Sequence, residues 1–491
     1  MLGTSFAELV LVRVGTIALS AITPACALCA ILSFAGFVNF PLLLTTYFWA
    51  ETLFYVCWYL PWKRRLEKPA IHPPQRPHNE RQALVNQCLS TITAPEQYLS
   101  GWFHGATVSS IHRENLAEFL SWAFLDLDQV PPRGSEEAAE VDAYVRQFEE
   151  MLGTTLRSGY NPLVKSLRLT LDPVKMMHRS LVLYGVVGLV DFFTTMRLRM
   201  GGLILFPTKS WRASFPIRLH AVLASDWGKR SPSKDFSYWY RPHTAKDKVP
   251  IVFLHGLGIG LHPYVGFLHE LAKEAGEGVG IVAVEIMALS MRICRDPMRA
   301  SEFSSQMLQI LNHHNITKFV LAGHSYGTVI STHLLHCPII GPRIDSLVLI
   351  DPITFLLHLP NVAYNFTCRV PRSANQVQLD YFAAKDPAIS HTICRHFFWR
   401  ENILWKEELR GRKCAVVLSG RDLLVDSESV WEYLTEGQAQ EMDVFSREDA
   451  AKREELTVLW YGDLDHAQVF ERRKRRERLV VTVARFAKAQ V

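Results

Sequence analysis

The chain is 491 residues long, room for one large domain with extensions or for two domains. Its 48% hydrophobic and 21% charged residues allow a large core and exclude global disorder. A formal net charge of +5 is small for this length and argues against a nucleic-acid partner, which requires a clustered basic face.

Val14 to Val38 is an uncharged apolar run long enough to cross a bilayer as a helix. Asn39-Phe40-Pro41 interrupts it, and Pro41 to Trp62 is a second such run, aromatic towards its end and closed by Lys63-Arg64-Arg65. The pattern predicts a membrane-anchoring hairpin over residues 1–68, two transmembrane helices with the basic flank on the cytoplasmic side. A hairpin that dips into the membrane without crossing has the same signature. The rival is a cleaved signal peptide with Ala25-Cys26-Ala27 as the cleavage site, but the first run is long and its flank carries only Arg13 against Glu8. Glu51 sits inside the second run, where an acid costs about 2.5–3.5 kcal/mol on insertion scales. Facing the partner helix or a shallow interface relieves that cost; the sharper reading is a functional intramembrane acid. The nine cysteines are scattered and odd in number, so no disulfide framework is indicated. Cys26 and Cys29 read as small apolar residues of a membrane helix rather than metal ligands.

Residues 69–77 are Pro-rich and polar, a linker, and residues 69–205 as a whole read as a mainly helical N-terminal region. Glu114 to Leu120 has helical spacing. Ser135 is placed to cap a helix with Glu136 and Glu137 in its first turn. Leu181 to Phe193 is nearly all apolar yet short for a span; it reads either as a buried helix or as an interfacial patch followed by Arg197 and Arg199.

After residue 240 the rhythm changes. Phe236 to Tyr240 can be a strand, and short continuous apolar runs follow at 251–254, 281–284, 319–322, 347–350, 415–418 and 456–460, most of them separated by enough chain for a helix. Such alternation predicts an α/β fold, a mostly parallel sheet covered on both faces. In such sheets functional residues lie just beyond the carboxyl ends of strands. Gly323-His324-Ser325-Tyr326-Gly327, a G-x-S-x-G pattern, follows one run and would lift a serine hydroxyl clear of the sheet on a sharp turn. His255-Gly256-Leu257-Gly258 follows another, Asp422 a third and His466 the last. A serine hydroxyl needs a base within reach, and the base needs an acid to fix its tautomer. His466 is preferred as base over His391 and His396, which fall in an inserted segment; His324, beside the serine, should point away from it. Asp422 is preferred as acid, and Asp351, which also ends a strand, is the alternative. Asp426, Asp463 and Asp465 read as loop solvation or caps.

The order Ser…Asp…His on these strand ends resembles the α/β-hydrolase superfamily, over roughly residue 236 to the C-terminus. With its anchor the chain is similar to membrane-anchored fungal α/β-hydrolases. The resemblance implies an α/β-hydrolase fold in residues 206–491 and a Ser325–His466–Asp422 triad. It also implies an oxyanion hole from the backbone N–H groups of Leu257 and Tyr326, with Gly256, Gly323 and Gly327 allowing close packing. Lids of this family are inserted where residues 352–412 lie, and this insert is rich in aromatics. The turn Glu285 to Ser290 departs from the family's glycine-containing one, and a serine nucleophile argues against epoxide hydrolysis and dehalogenation. No metal and no organic cofactor is implied. The expectation is a serine hydrolase acting on a hydrophobic acyl ester beside membrane lipid, at the endoplasmic reticulum or a lipid droplet. Acyl transfer, thioester cleavage and a non-catalytic scaffold are the alternatives. The basic run Glu471 to Arg478 reads as a solvated helix face that could also touch anionic lipid.

Overall fold

A computed structural model describes residues 2–208, 214–218, 229–438, 443–449 and 454–488. Nine strands form one sheet: β1 (Ile204–Phe206), β2 (Ser237–Arg241), β3 (Ile251–Leu254), β4 (Ile281–Glu285), β5 (Phe319–His324), β6 (Ile344–Ile350), β7 (Lys413–Ser419), β8 (Val444–Asp449) and β9 (Glu454–Tyr461). Their order is β1-β2-β4-β3-β5-β6-β7-β9-β8. The six strands from β4 to β9 pair in parallel, and β1, β2 and β8 add antiparallel edges. The parallel strands are buried on both faces, as continuous Val/Ile/Leu runs require. On one face the sheet packs against the helices Val265–Glu274 and Arg473–Phe486. On the other it shares its core with the helices Ala300–His313 and Tyr326–His336 and with the insert. This is the α/β-hydrolase fold, and the sheet begins two residues before the boundary expected from sequence.

The insert between β6 and β7 is helical, with segments such as Asn361–Thr367, Ala374–Leu379, Pro387–His396 and Trp399–Asn402. The region that precedes the sheet is helical too: His78–Thr91, Pro95–Trp102, Arg113–Leu125 and Glu136–Leu152. Ser135 caps the last of these through Ala138 N–H (3.1 Å), and Gly153 ends it in a left-handed conformation, the side-chain-free choice for that backbone. These helices do not stand apart from the sheet and its insert. Buried Trp102 stacks among Phe119 and Trp122 and donates from its indole to the His358 carbonyl in the insert at 3.0 Å. Trp399 of the insert donates back to the Ala123 carbonyl at 3.0 Å. One hydrophobic core therefore runs from the N-terminal helices through the insert to the sheet.

The first apolar run is a helix over Phe6–Phe34, capped by Ser5. It lies antiparallel to a second formed by Leu42–Leu53, a π segment Phe54–Tyr59 and Leu60–Leu66. Glu51 is fully buried between them and the body: it accepts from Thr23 Oγ1 (2.6 Å) on the partner helix and from Leu181 N–H (2.9 Å). It thus meets the partner helix, and it also accepts the first N–H of a third helix, Leu181–Met200, whose own cap is Ser180. That helix runs seven residues beyond the apolar stretch, because Thr194 to Met200 remains compatible with helix after the apolar run is broken by Arg197. Phe6–Phe34 and Leu181–Met200 are both long and apolar enough to cross a membrane, by length and composition.

Because Trp102 joins two parts of the core, Trp102→Ala should cost about 3–5 kcal/mol of unfolding free energy, the range for a buried aromatic truncation. Urea denaturation of purified protein measures this; a loss below about 1 kcal/mol would contradict the shared core.

Candidate active site

Ser325 sits between the last residue of β5 and the first of the helix Tyr326–His336, with φ 52° and ψ −119°, a conformation L-residues rarely adopt. Neighbouring glycines make this turn sterically feasible. A Cβ at Gly323 would strike Ser331 and Gly327, and one at Gly327 would strike the Leu254 carbonyl at the end of β3. A Cβ at Gly256 would lie 2.9 Å from the Ser325 Cβ, so the loop after β3 is pressed against the serine. Ser325 N–H is held by the Ile350 carbonyl of β6 at 2.9 Å.

His466 lies in the loop after β9, and its Nε2 is 2.8 Å from Ser325 Oγ. Its Nδ1 is 2.7 Å from Asp422 Oδ2, in the loop after β7. The sequence thus points to three residues that the fold brings into one hydrogen-bonded line, 141 and 44 positions apart along the chain. Asp422 is itself fixed by Leu424 and Val425 N–H, 2.8 and 3.0 Å from Oδ1. Asp351, the alternative acid, is close but differently engaged. Its oxygens accept from Ser419 Oγ (2.8 Å) and Ala467 N–H (2.7 Å), so it anchors the base's loop without bonding either ring nitrogen. Asp351, Asp422 and His466 are metal-ligand residue types with atoms within 4.8 Å of one another. Their donor atoms are already engaged in the protein's own hydrogen bonds, so the set does not fit a resident ion.

The electrostatics follow from burial and charge. Burial alone would lower the His466 pKa, but the carboxylates of Asp422, Asp351 and Asp465 prevail and raise it to about 9. Asp351 is held below the usual carboxylate range: burial opposes this, and the adjoining His324 and His466 outweigh burial. His255 is fully buried, and burial lowers it to about 4, so its ring is neutral. It accepts Ile286 N–H at Nε2 (2.9 Å), which leaves Nδ1–H to donate to the Gly256 carbonyl at 2.8 Å. In a trans peptide the N–H points opposite to the C=O. Holding the Gly256 carbonyl therefore turns Leu257 N–H the other way. Among the described residues neither Leu257 N–H nor Tyr326 N–H donates to a protein acceptor, which leaves both open beside Ser325.

Two supporting residues, Asp465 and Tyr264, were not singled out as such by sequence. Asp465 is not a solvated loop acid: it is buried, accepts from Leu423 and His466 N–H (2.9 and 2.7 Å) and from Asn375 Nδ2 of the insert (2.6 Å), and so ties the acid's loop to the base's. Asp426 does cap a helix, through Ser429 N–H at 3.2 Å, and Asp463 is exposed. Tyr264 OH accepts Gly256 N–H at 3.1 Å and bonds His324 Nδ1 at 2.8 Å, holding His324 away from the serine hydroxyl. His391 and His396 lie in the insert, where His391 Nδ1 bonds the Leu66 carbonyl at 2.9 Å. The insert shelters the site; Ser325 is 4% and His466 6% exposed.

A cavity of about 740 Å³ reaches this site at Tyr326. Its inner wall includes Ile286, Leu289, Phe303, Ile330 and Phe398. Its exposed rim includes Arg65, in the last turn of the hairpin's second arm, and Lys68 to Ile71 just after it. Ser325 is not itself in the lining; the cavity touches the residue after it.

Residues 251–486 match the profile of the Alpha/beta hydrolase family. No curated protein matches the sequence. Among solved structures, the chain is similar to a membrane phospholipase A described as a bacterial virulence factor (13% identity, 62% of this chain and 94% of that one, TM-score 0.37). It is also similar to naproxen esterase from Bacillus subtilis (13%, 61% and 98%, TM-score 0.36) and to haloalkane dehalogenase DbeA from Bradyrhizobium elkani (10%, 52% and 95%, TM-score 0.34). Likenesses this distant leave the reaction to be read from the site.

Only a neutral His466 can take the Ser325 proton, and its pKa is raised to about 9. The rate of Ser325 labelling by a fluorophosphonate should therefore rise with pH above neutrality. Asp422→Asn removes a raising charge, so it should shift this limb to lower pH and cut the plateau by about 10³–10⁴-fold, the scale of losing a triad acid. Asp351→Asn should cost less. The reverse order would sink the assignment of Asp422.

Proposed function

We propose, on the premise that the chain belongs to the α/β-hydrolase superfamily, that it is a membrane-anchored serine hydrolase cleaving an ester of a lipid or other hydrophobic acyl compound. The hydrogen-bonded line Asp422–His466–Ser325 carries this reading, because no purely structural role needs a serine in strained backbone aimed at a buried histidine. Ser325 Oγ attacks the carbonyl carbon while His466 Nε2 takes its proton. The oxyanion of the tetrahedral intermediate is received by Tyr326 and Leu257 N–H, donors of a kind whose single loss typically costs about 10²–10³-fold. His466 returns the proton to the leaving oxygen, the alcohol departs, and an acyl-Ser325 ester remains. Water then attacks that ester with His466 again as base, releasing the acid and restoring Ser325. Asp422 fixes the tautomer and stabilises the cation throughout.

The cavity supports a hydrophobic substrate. Its volume is in the range of small-molecule sites, and Ile286, Leu289, Phe303, Ile330 and Phe398 give it apolar wall beside buried polar groups such as Arg218, His391 and Arg395. The rim at Arg65 and Lys68 to Ile71 lies where the hairpin ends, so an acyl compound delivered from a membrane need cross little water. Acyl transfer or thioester cleavage would use the same residues and is separated from ester hydrolysis by product analysis with added alcohol or thioester.

Ser325→Ala should abolish fatty-acid release from long-chain acyl esters, by at least about 10³-fold, with an unchanged melting temperature. Ile330→Trp narrows the cavity and should lower kcat/KM for long-chain esters more than for acetate esters. Full activity of Ser325→Ala would overturn the reading.

A further inference from the structure

The helix Leu181–Met200 carries an apolar stripe that the fold leaves uncovered. Val182, Val186, Leu189, Phe193, Met196 and Met200 are all exposed. Their spacing is four, three, four, three and four, which puts all six on one face of a helix. At 1.5 Å per residue the stripe is about 27 Å long. The opposite face is bolted to the body. Asp191 pairs with Arg218 (2.7 Å) and Arg292 (3.0 Å), and Arg218 pairs with Glu285, the last residue of β4 (2.5 Å). Trp239 of β2 donates to the same Glu285 at 3.0 Å, and Thr194 Oγ1 bonds His262 Nδ1 at 2.9 Å.

These contacts decide between the roles open to a long apolar helix. A transmembrane span would take its inner face, with Asp191 and its arginine partners, into hydrocarbon, and β4 would have to follow. A helix lying in the membrane plane keeps that face in the protein and offers only the stripe to lipid. The stripe is also continuous with the hairpin. Beside the helix's own cap at Ser180, Leu181 N–H donates to Glu51 of the hairpin at 2.9 Å, and Phe54 packs on Tyr184 with ring centroids 5.9 Å apart. Leu53 and Val56, on either side of Phe54 in the hairpin, are exposed apolar side chains too.

We propose that Leu181–Met200 lies in the plane of the lipid leaflet that the hairpin enters, as a second and rigid membrane contact. A hairpin alone allows the body to swivel. The second contact is joined through Arg218 and Glu285 to β4, and the residues directly after β4, Ile286 to Leu289, form part of the cavity wall. It therefore fixes the orientation of the cavity towards the membrane. The proposal rests on the membrane-anchored reading and not on the chemistry at Ser325.

The test places single added cysteines at Val182, Leu189 and Met196 in the full chain, each labelled with an environment-sensitive dye and compared with the labelled parent in phosphatidylcholine vesicles. Retained fluorophosphonate labelling shows that each variant is folded. Lipids carrying a nitroxide near the headgroup should quench all three dyes to a similar degree and at least about twofold more than lipids with a deep nitroxide, as for a helix buried about 5–10 Å. Deepest burial at Leu189 with shallow ends would mean a span and would overturn the proposal. So would three dyes that no lipid nitroxide quenches, the result for a stripe covered by protein or left in water. Either result leaves the assignment of Ser325 standing.

Discussion

The structure depends on one backbone constraint, the turn that reverses β5 into the helix Tyr326–His336 at a serine with positive φ. Such a turn needs space on two sides, and Gly323 and Gly327 supply it against Ser331 and the end of β3. Once made, it presents Ser325 Oγ above the carboxyl ends of the strands and exposes the first amide of a helix beside it. The loops after β3, β7 and β9 then close around that point, each delivering one group: the Gly256–Leu257 peptide, the Asp422 carboxylate and the His466 imidazole. Asp351 and Asp465 do not join the proton line. They hold the loops of His466 and Asp422 in place, and their negative charges help to raise the His466 pKa.

The first two hundred residues are as much a part of this arrangement as the sheet. The N-terminal helices pack on the insert that roofs the site, with Trp102 and Trp399 donating across the joint in opposite directions. The hairpin meets the same roof, since His391 and Arg395 of the insert bond the carbonyls of Leu66 and Lys68. A roof pinned from both sides explains how the serine and histidine stay almost fully buried beside a large cavity. It also means that movement of the insert, the usual route of access in covered sites, would be felt at the foot of the hairpin.

Much of this was legible in the sequence, for a physical reason. Parallel strands buried on both faces write themselves as short unbroken apolar runs, and each such run became a strand. Strand ends then confined the search for chemistry to a few residues, which is how Ser325, His466 and Asp422 could be picked out from loops far apart in the chain. The edge strands β1 and β8 left no such mark: β1 has three residues, and β8 carries Arg447, Glu448 and Asp449 at a solvated edge. The role of Asp465 was hidden because its burial depends on Asn375, ninety positions away in the insert. The length of Leu181–Met200 was hidden because its apolar pattern continues on one face after Arg197 and Arg199 break the run in sequence.

The central claim is that Ser325 becomes acylated. The most direct measurement is rapid acid quenching after mixing with an activated long-chain ester, followed by peptide mass spectrometry. The account predicts an acyl adduct on the peptide holding Ser325, formed within the first turnover and lost on incubation in water. An adduct of equal amount in the Ser325→Ala protein, or turnover with no adduct on that peptide at any time, would contradict it.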